Sequence, residues 1–123
     1  MVKKLSAKGM LKLEKLEEAN RKLDRIKGLI AKYAIAIKGQ DAFLSSISRA
    51  ATDVSRVLLT GGYGVMSESL NQIAQIARRG GDQRTKTRYF QEHMVGLGAT
   101  LERAVREVNA EKREGPAQAE EEK

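Results

Sequence analysis

The sequence predicts an all-α protein, an antiparallel helical bundle of about four helices with a basic N-terminal helical extension. Three observations predict it. Apolar residues recur at alternating spacings of three and four along the long stretches of the chain, the period of a helix seam packed on other helices. Hydrophobic residues make up 41% of the 123 residues, yet aromatics only 4% and proline one residue, a composition that favours packed helices over a sheet. Glycines gather at the points where the seams stop, and neither strand alternation nor an internal repeat is visible.

The first seam runs Leu16, Ala19, Leu23, Ile26, Ile30, Tyr33, Ile37, with Ser6 as a candidate cap and Gly39 as a candidate stop. Glu17 with Arg21, and Glu18 with Lys22, add i,i+4 pairs in the favourable order. Traced backward, this seam meets Lys12 and Gly9 instead of apolar residues, so residues 1–15 are expected to stand apart from the core as a basic arm. Asp41 is a candidate cap for a second helix with the seam Phe43, Ile47, Ala50, Val54, Val57, flanked by Leu44, Ala51 and Leu58. That helix ends at Gly61-Gly62-Tyr63-Gly64. A shorter third helix carries Met66, Leu70, Ile73 and Ala77 and stops at Gly80-Gly81. Asp82 or Thr85 can start the fourth, with the seam Phe90, Met94, Leu97, Leu101, Ala104, Val108 and an expected stop at Gly115-Pro116. The expected organisation is an arm over 1–15, a bundle over 16–114 and a mobile acidic tail over 115–123.

The formal charge is +7, and its distribution is uneven. Residues 1–39 hold eleven Lys/Arg against four Asp/Glu, so this segment alone equals the whole excess. Lys3, Lys4, Lys8, Lys12 and Lys15, with no acid before Glu14, form a cluster suited to phosphate. A second concentration is Arg78, Arg79, Arg84, Lys86 and Arg88, opposed locally by Asp82.

Residues that carry catalysis are scarce. The chain has no cysteine, hence no disulfide framework, thiolate metal site or cysteine nucleophile, and a single histidine. His93 has no second donor at i+3 or i+4, so it is read as structural, and no metal or other cofactor is expected. Asp41 and Asp53 lie too far apart on one helix for an acid/base dyad. Gly61-Gly62-Tyr63-Gly64 could cradle an anion, but it lacks the Lys-Ser/Thr of a phosphate loop and follows no strand; an interhelical turn explains it. Arg78-Arg79-Gly80-Gly81 is one copy of an RGG-like element with an ordinary helix-end explanation. An enzyme is not expected.

Nucleic acid is the partner that the charge suggests. The arm carries no aromatic residue for stacking on single strands, so sequence-neutral contact with the phosphates of duplex DNA fits better. Its small apolar face of Leu5, Met10, Leu11 and Leu13 is a poor membrane anchor, and no apolar run is long enough to span a bilayer. The amino end lacks the apolar core of a secretory signal, which points to a virion or a nucleoid in the cytoplasm.

Gly62-Tyr63-Gly64-Val65, followed by Leu70-Asn71 and Ile73, resembles the coat proteins of filamentous archaeal viruses. The rod-shaped group of that family has a similar Gly-Tyr-Gly and then an apolar helix with Leu-Asn and Ile, at a spacing one residue longer. The likeness covers residues 62–73 and agrees with the plan of a small basic helical protein. It implies paired subunits whose helices wrap linear double-stranded DNA, without enzymatic activity. The expectation is therefore a structural DNA-binding protein in a repeating assembly, of virion-coat or nucleoid type, that self-associates as a dimer or larger species. The competing expectation is a helical scaffold that oligomerises through its seams and binds no nucleic acid.

Overall fold

A computed structural model describes residues 7–121. Four helices follow one another, α1 (Ala7–Ile35), α2 (Gln40–Thr60), α3 (Gly64–Arg78) and α4 (Gln83–Glu121), with no strand among the described residues. Connections of three or four residues force consecutive helices antiparallel. α1 packs on α2 and α4, and α3 packs on α2 and α4, so the helices form a ring in which α2 and α4 are diagonal neighbours. This is the all-α four-helix bundle that the seams predict.

The core is built from those seams. Leu16, Ala19, Ile26, Ile47, Ala51, Val54, Leu70, Ile73 and Phe90 have no exposed surface. On α4 the row Phe90, Met94, Leu97, Leu101, Ala104, Val108 is buried throughout. Tyr33 of α1 meets Phe90 edge-to-face at a centroid distance of 6.1 Å, which fixes the end of the α1/α4 pair. One polar tie crosses the interior. The Ser55 and Ser67 hydroxyls lie 2.6 Å apart between α2 and α3, and Ser55 also donates to the Ser67 carbonyl at 3.1 Å. Ser55→Ala alone is expected to cost about 1–3 kcal/mol, because it leaves the buried Ser67 hydroxyl without the Ser55 oxygen, whereas in Ser67→Ala the Ser55 hydroxyl keeps the carbonyl. The double change to Ala should recover part of that loss in urea unfolding. A double variant weaker than the sum of the two single changes would show that the tie is not a closed pair.

Several boundaries differ from the sequence expectation. Ser6 lies outside the described residues. Ile37 is 91% exposed, because α1 ends at Ile35 and the chain turns where the Ala36 amide donates to the Tyr33 carbonyl. Gly39 does not stop α1; at φ 71° it sits immediately before α2, in a conformation open to glycine. Asp41 makes no side-chain cap bond and contributes only its charge to the first turn of α2.

The proposed break between arm and bundle is not seen from Ala7 onward. α1 is continuous, Gly9 is buried, Lys12 is half-buried and Leu13 packs on the core. The 3–4 spacing simply continues through residues 12 and 9. A lysine stem can cover apolar surface, and a glycine lets its backbone be covered. At the other end α4 passes through Gly115-Pro116 to Glu121, so residues 115–121 are helical. Proline costs a helix interior about 3 kcal/mol, but Ala117, Gln118, Ala119, Glu120 and Glu121 are all strong helix formers and resume the helix beyond it.

The Gly61-Gly62-Tyr63 turn closes α2 without spare donors. Its amides reach the carbonyls of Val57, Leu59 and Leu58 at 3.2, 3.0 and 2.8 Å, so none of these three is directed at an anion. Gly62 requires its φ of 91°. Gly61 is needed for a different reason: a Cβ there would stand 3.0 Å from Cβ of Lys15, where α1 crosses the end of α2.

Candidate nucleic-acid interface

Two helix ends meet two helix starts at the Tyr33 end of the bundle, and the short connections leave a cleft of about 870 Å³. Tyr33, Ser48, Arg49, Arg78, Arg79 and Lys86 line it, with Asp41 as its one carboxylate. Glutamine side chains hold its edge. Gln83 Nε2 donates to the Tyr33 and Ala36 carbonyls at 2.6 and 2.9 Å, and Gln40 Nε2 donates to the Ala36 carbonyl at 2.9 Å. These amides satisfy carbonyls that the end of α1 leaves without helical partners. Asp82 caps α4 by accepting from the Thr85 amide at 2.7 Å and the Thr85 hydroxyl at 2.9 Å. Those bonds hold its carboxyl below the usual aspartate range. Burial pushes the Tyr33 phenol up, and the charges of Asp82 and Asp41 act in the same direction.

Arg78 is fixed in the cleft wall. Its Nε donates to Ser48 Oγ at 2.8 Å and its Nη2 to Thr52 Oγ1 at 3.4 Å, bridging α3 to α2. Arg79 and Arg49 are exposed beside it and hold no ion pair among the described residues. Arg49 also borders a second depression, of about 420 Å³, between α1 and α2 with Lys22, Arg25 and Asp53. There Lys22 Nζ stands 2.6 Å from Asp53 Oδ2 and 3.4 Å from Glu18 Oε2. The hydrogen bond to Asp53 is the main reason that the Lys22 ammonium is held above the ordinary lysine range. Arg49 thus joins the two depressions into one cationic face across α1, α2 and α3, from Arg25 through Arg49 to Arg78 and Arg79.

The structure divides the ten cations that the sequence singles out. Lys3 and Lys4 lie outside the described residues, as does the side chain of Lys8. Lys12 and Lys15 are half-buried on α1, and Lys15 stands 3.8 Å from Glu18. Arg78 and Arg79 belong to the cationic face. Arg84 and Arg88 do not; they border a separate depression beside Ala34 of α1. Lys86 is 6% exposed, and its ammonium donates to the Arg79 carbonyl at the end of α3. It is a helix-end partner rather than a free cation. Lys86→Ala is therefore expected to lower stability by about 1–3 kcal/mol, with thermal melting as the measure. An unchanged melting temperature with weakened DNA binding would reverse that assignment.

Arg25 and Arg49 fall outside both of the linear charge clusters. α2 has two arginines and two aspartates, so its net charge of zero hides where they point. His93 lies on Tyr89 at a centroid distance of 4.0 Å, and no group of three His, Cys, Asp or Glu suited to a metal occurs among the described residues. Among the same residues no helix is long and apolar enough to cross a membrane. Comparison with known proteins finds no family model, no curated protein and no solved structure that matches the chain.

Proposed function

We propose that this protein binds double-stranded DNA through its phosphates and packages it in a repeating assembly, as a structural protein without catalytic activity. The observation that carries the reading is the continuous face of Arg25, Arg49, Arg78 and Arg79, in which two carboxylates, Asp41 and Asp53, are outnumbered and Asp53 is already engaged by Lys22. Guanidinium groups on rigid helices suit phosphate, and a face with no exposed aromatic ring suits duplex rather than unstacked bases. Lys3, Lys4 and Lys8 add positive charge near the amino end of the sequence. The resemblance around Gly62-Tyr63-Gly64-Val65 gives the coat-protein form of the proposal; a nucleoid-type protein is its other form.

Fluorescence titration of a labelled random-sequence duplex tests it. With about six phosphates neutralised, log affinity should fall against log salt with a slope of roughly −5, and a second duplex of unrelated sequence should bind equally. Failure to bind at low salt ends the proposal and leaves the scaffold reading.

A further inference from the structure

α4 carries Arg88, Val95 and Glu102 at intervals of seven residues. Seven residues are two helical turns within about 20°, so the three side chains stand in one line. All three are exposed, Val95 to 76%. Beside Val95 runs a groove of about 420 Å³ between α1 and α4, floored by Ile30 and Met94 and bordered by Ala31, Gly98 and Ala99. An apolar centre flanked at equal distances by opposite charges is self-complementary under a two-fold axis and under no parallel arrangement.

We propose that a second copy of this chain lays its α4 antiparallel across this one, with the two-fold axis at Val95. The two Val95 side chains then cover each other and the groove. Arg88 faces Glu102 of the partner subunit, and the symmetry repeats the pair on the other side. Each pair lies about 10 Å from the axis along the helix. Gly96 and Gly98 fit this arrangement. A Cβ at either would meet nothing within 4 Å, so the chain's own packing does not require glycine there, although glycine weakens a helix interior. A helix arriving from outside can use the missing Cβ to come close. Eleven residues out, Arg84 would face Arg106 of the partner subunit, and this like-charged contact favours helices that cross and diverge over helices that run side by side. α4 lies diagonally across the bundle from α2, so the dimer leaves both cationic faces uncovered. The inference deepens the assembly half of the proposed function, and its test contains no DNA, so either can fail alone.

Sedimentation equilibrium of the full chain is the measurement, with circular dichroism as a check on folding. The wild type is expected at twice 13.6 kDa at tens of micromolar. Val95→Glu should be monomeric with unchanged helicity, since its side chain is already in solvent. Arg88→Glu and Glu102→Arg should each weaken the dimer about tenfold, because each turns two attractive pairs repulsive. The double variant Arg88→Glu/Glu102→Arg should restore it. A monomeric wild type, a dimer indifferent to Val95→Glu, or a double variant no tighter than the single ones overturns the proposal.

Discussion

Phe90→Ala is expected to cost about 3–5 kcal/mol, the largest loss from any single side chain in the bundle. Phe90 has no exposed surface, and it is the hinge of the aromatic contact between the helices that close the ring. One edge-to-face contact reaches Tyr33 at 6.1 Å, and another reaches Tyr89 at 6.4 Å. Truncation removes the ring and leaves a cavity beside Tyr33, whose backbone carbonyl is held by Gln83 and cannot readily follow. Domains of this size have only about 5–15 kcal/mol of stability in total, so about a fifth or more is at stake. Urea unfolding should show a lower midpoint with an unchanged slope. Glu107→Ala, on the exposed side of the same helix, should change stability by under about 0.5 kcal/mol. A loss below about 1 kcal/mol for Phe90 would show that the α1/α4 end is not packed as described.

The bundle was legible because its seams are apolar by residue type. From Leu16 to Tyr33 and from Phe90 to Val108, every position that the 3–4 spacing assigns to the core is buried. Where the same geometry uses other residue types, the reading fails. Gly9 and Lys12 continue the α1 seam, but a type-based reading takes them for its end. The boundary errors have a related cause. Gly39 can follow one helix or precede the next, and only the backbone at φ 71° shows which. Asp41 has the chemistry of a cap but stands two places past the glycine that fills the position. For the interface, linear charge clusters were an incomplete guide. Arg78, Arg79, Arg84, Lys86 and Arg88 are neighbours in sequence, yet the turn into α4 sends them to a cleft wall, a different groove and a buried helix end. Arg49 and Arg25 are far from Arg79 in sequence and share its face only because α2 packs on both α1 and α3.

That distinction between linear and spatial charge leads to the second large effect. Changing Arg25, Arg49 and Arg79 together to Gln is expected to weaken duplex binding by roughly two to three orders of magnitude at 0.1 M salt. Each phosphate contact releases about 0.9 counterion, so losing three of them should also flatten the log–log salt slope by about 2.7. All three side chains are exposed and make no ion pair among the described residues, so the triple variant should keep its helicity and its melting temperature. Arg78 is left in place because its bonds to Ser48 and Thr52 tie α3 to α2, and its loss would mix structure with binding. A matched control changes Arg84, Arg103 and Arg106 to Gln, removing the same charge from exposed positions of α4. Long-range attraction depends on net charge and is screened over about 10 Å at this salt, so the control should lose some affinity. Its salt slope should stay close to that of the wild type, since direct phosphate contacts set that slope. Equal losses and equal slopes in the two triple variants would mean that the duplex responds to overall charge and that the α1–α3 face is not where it binds.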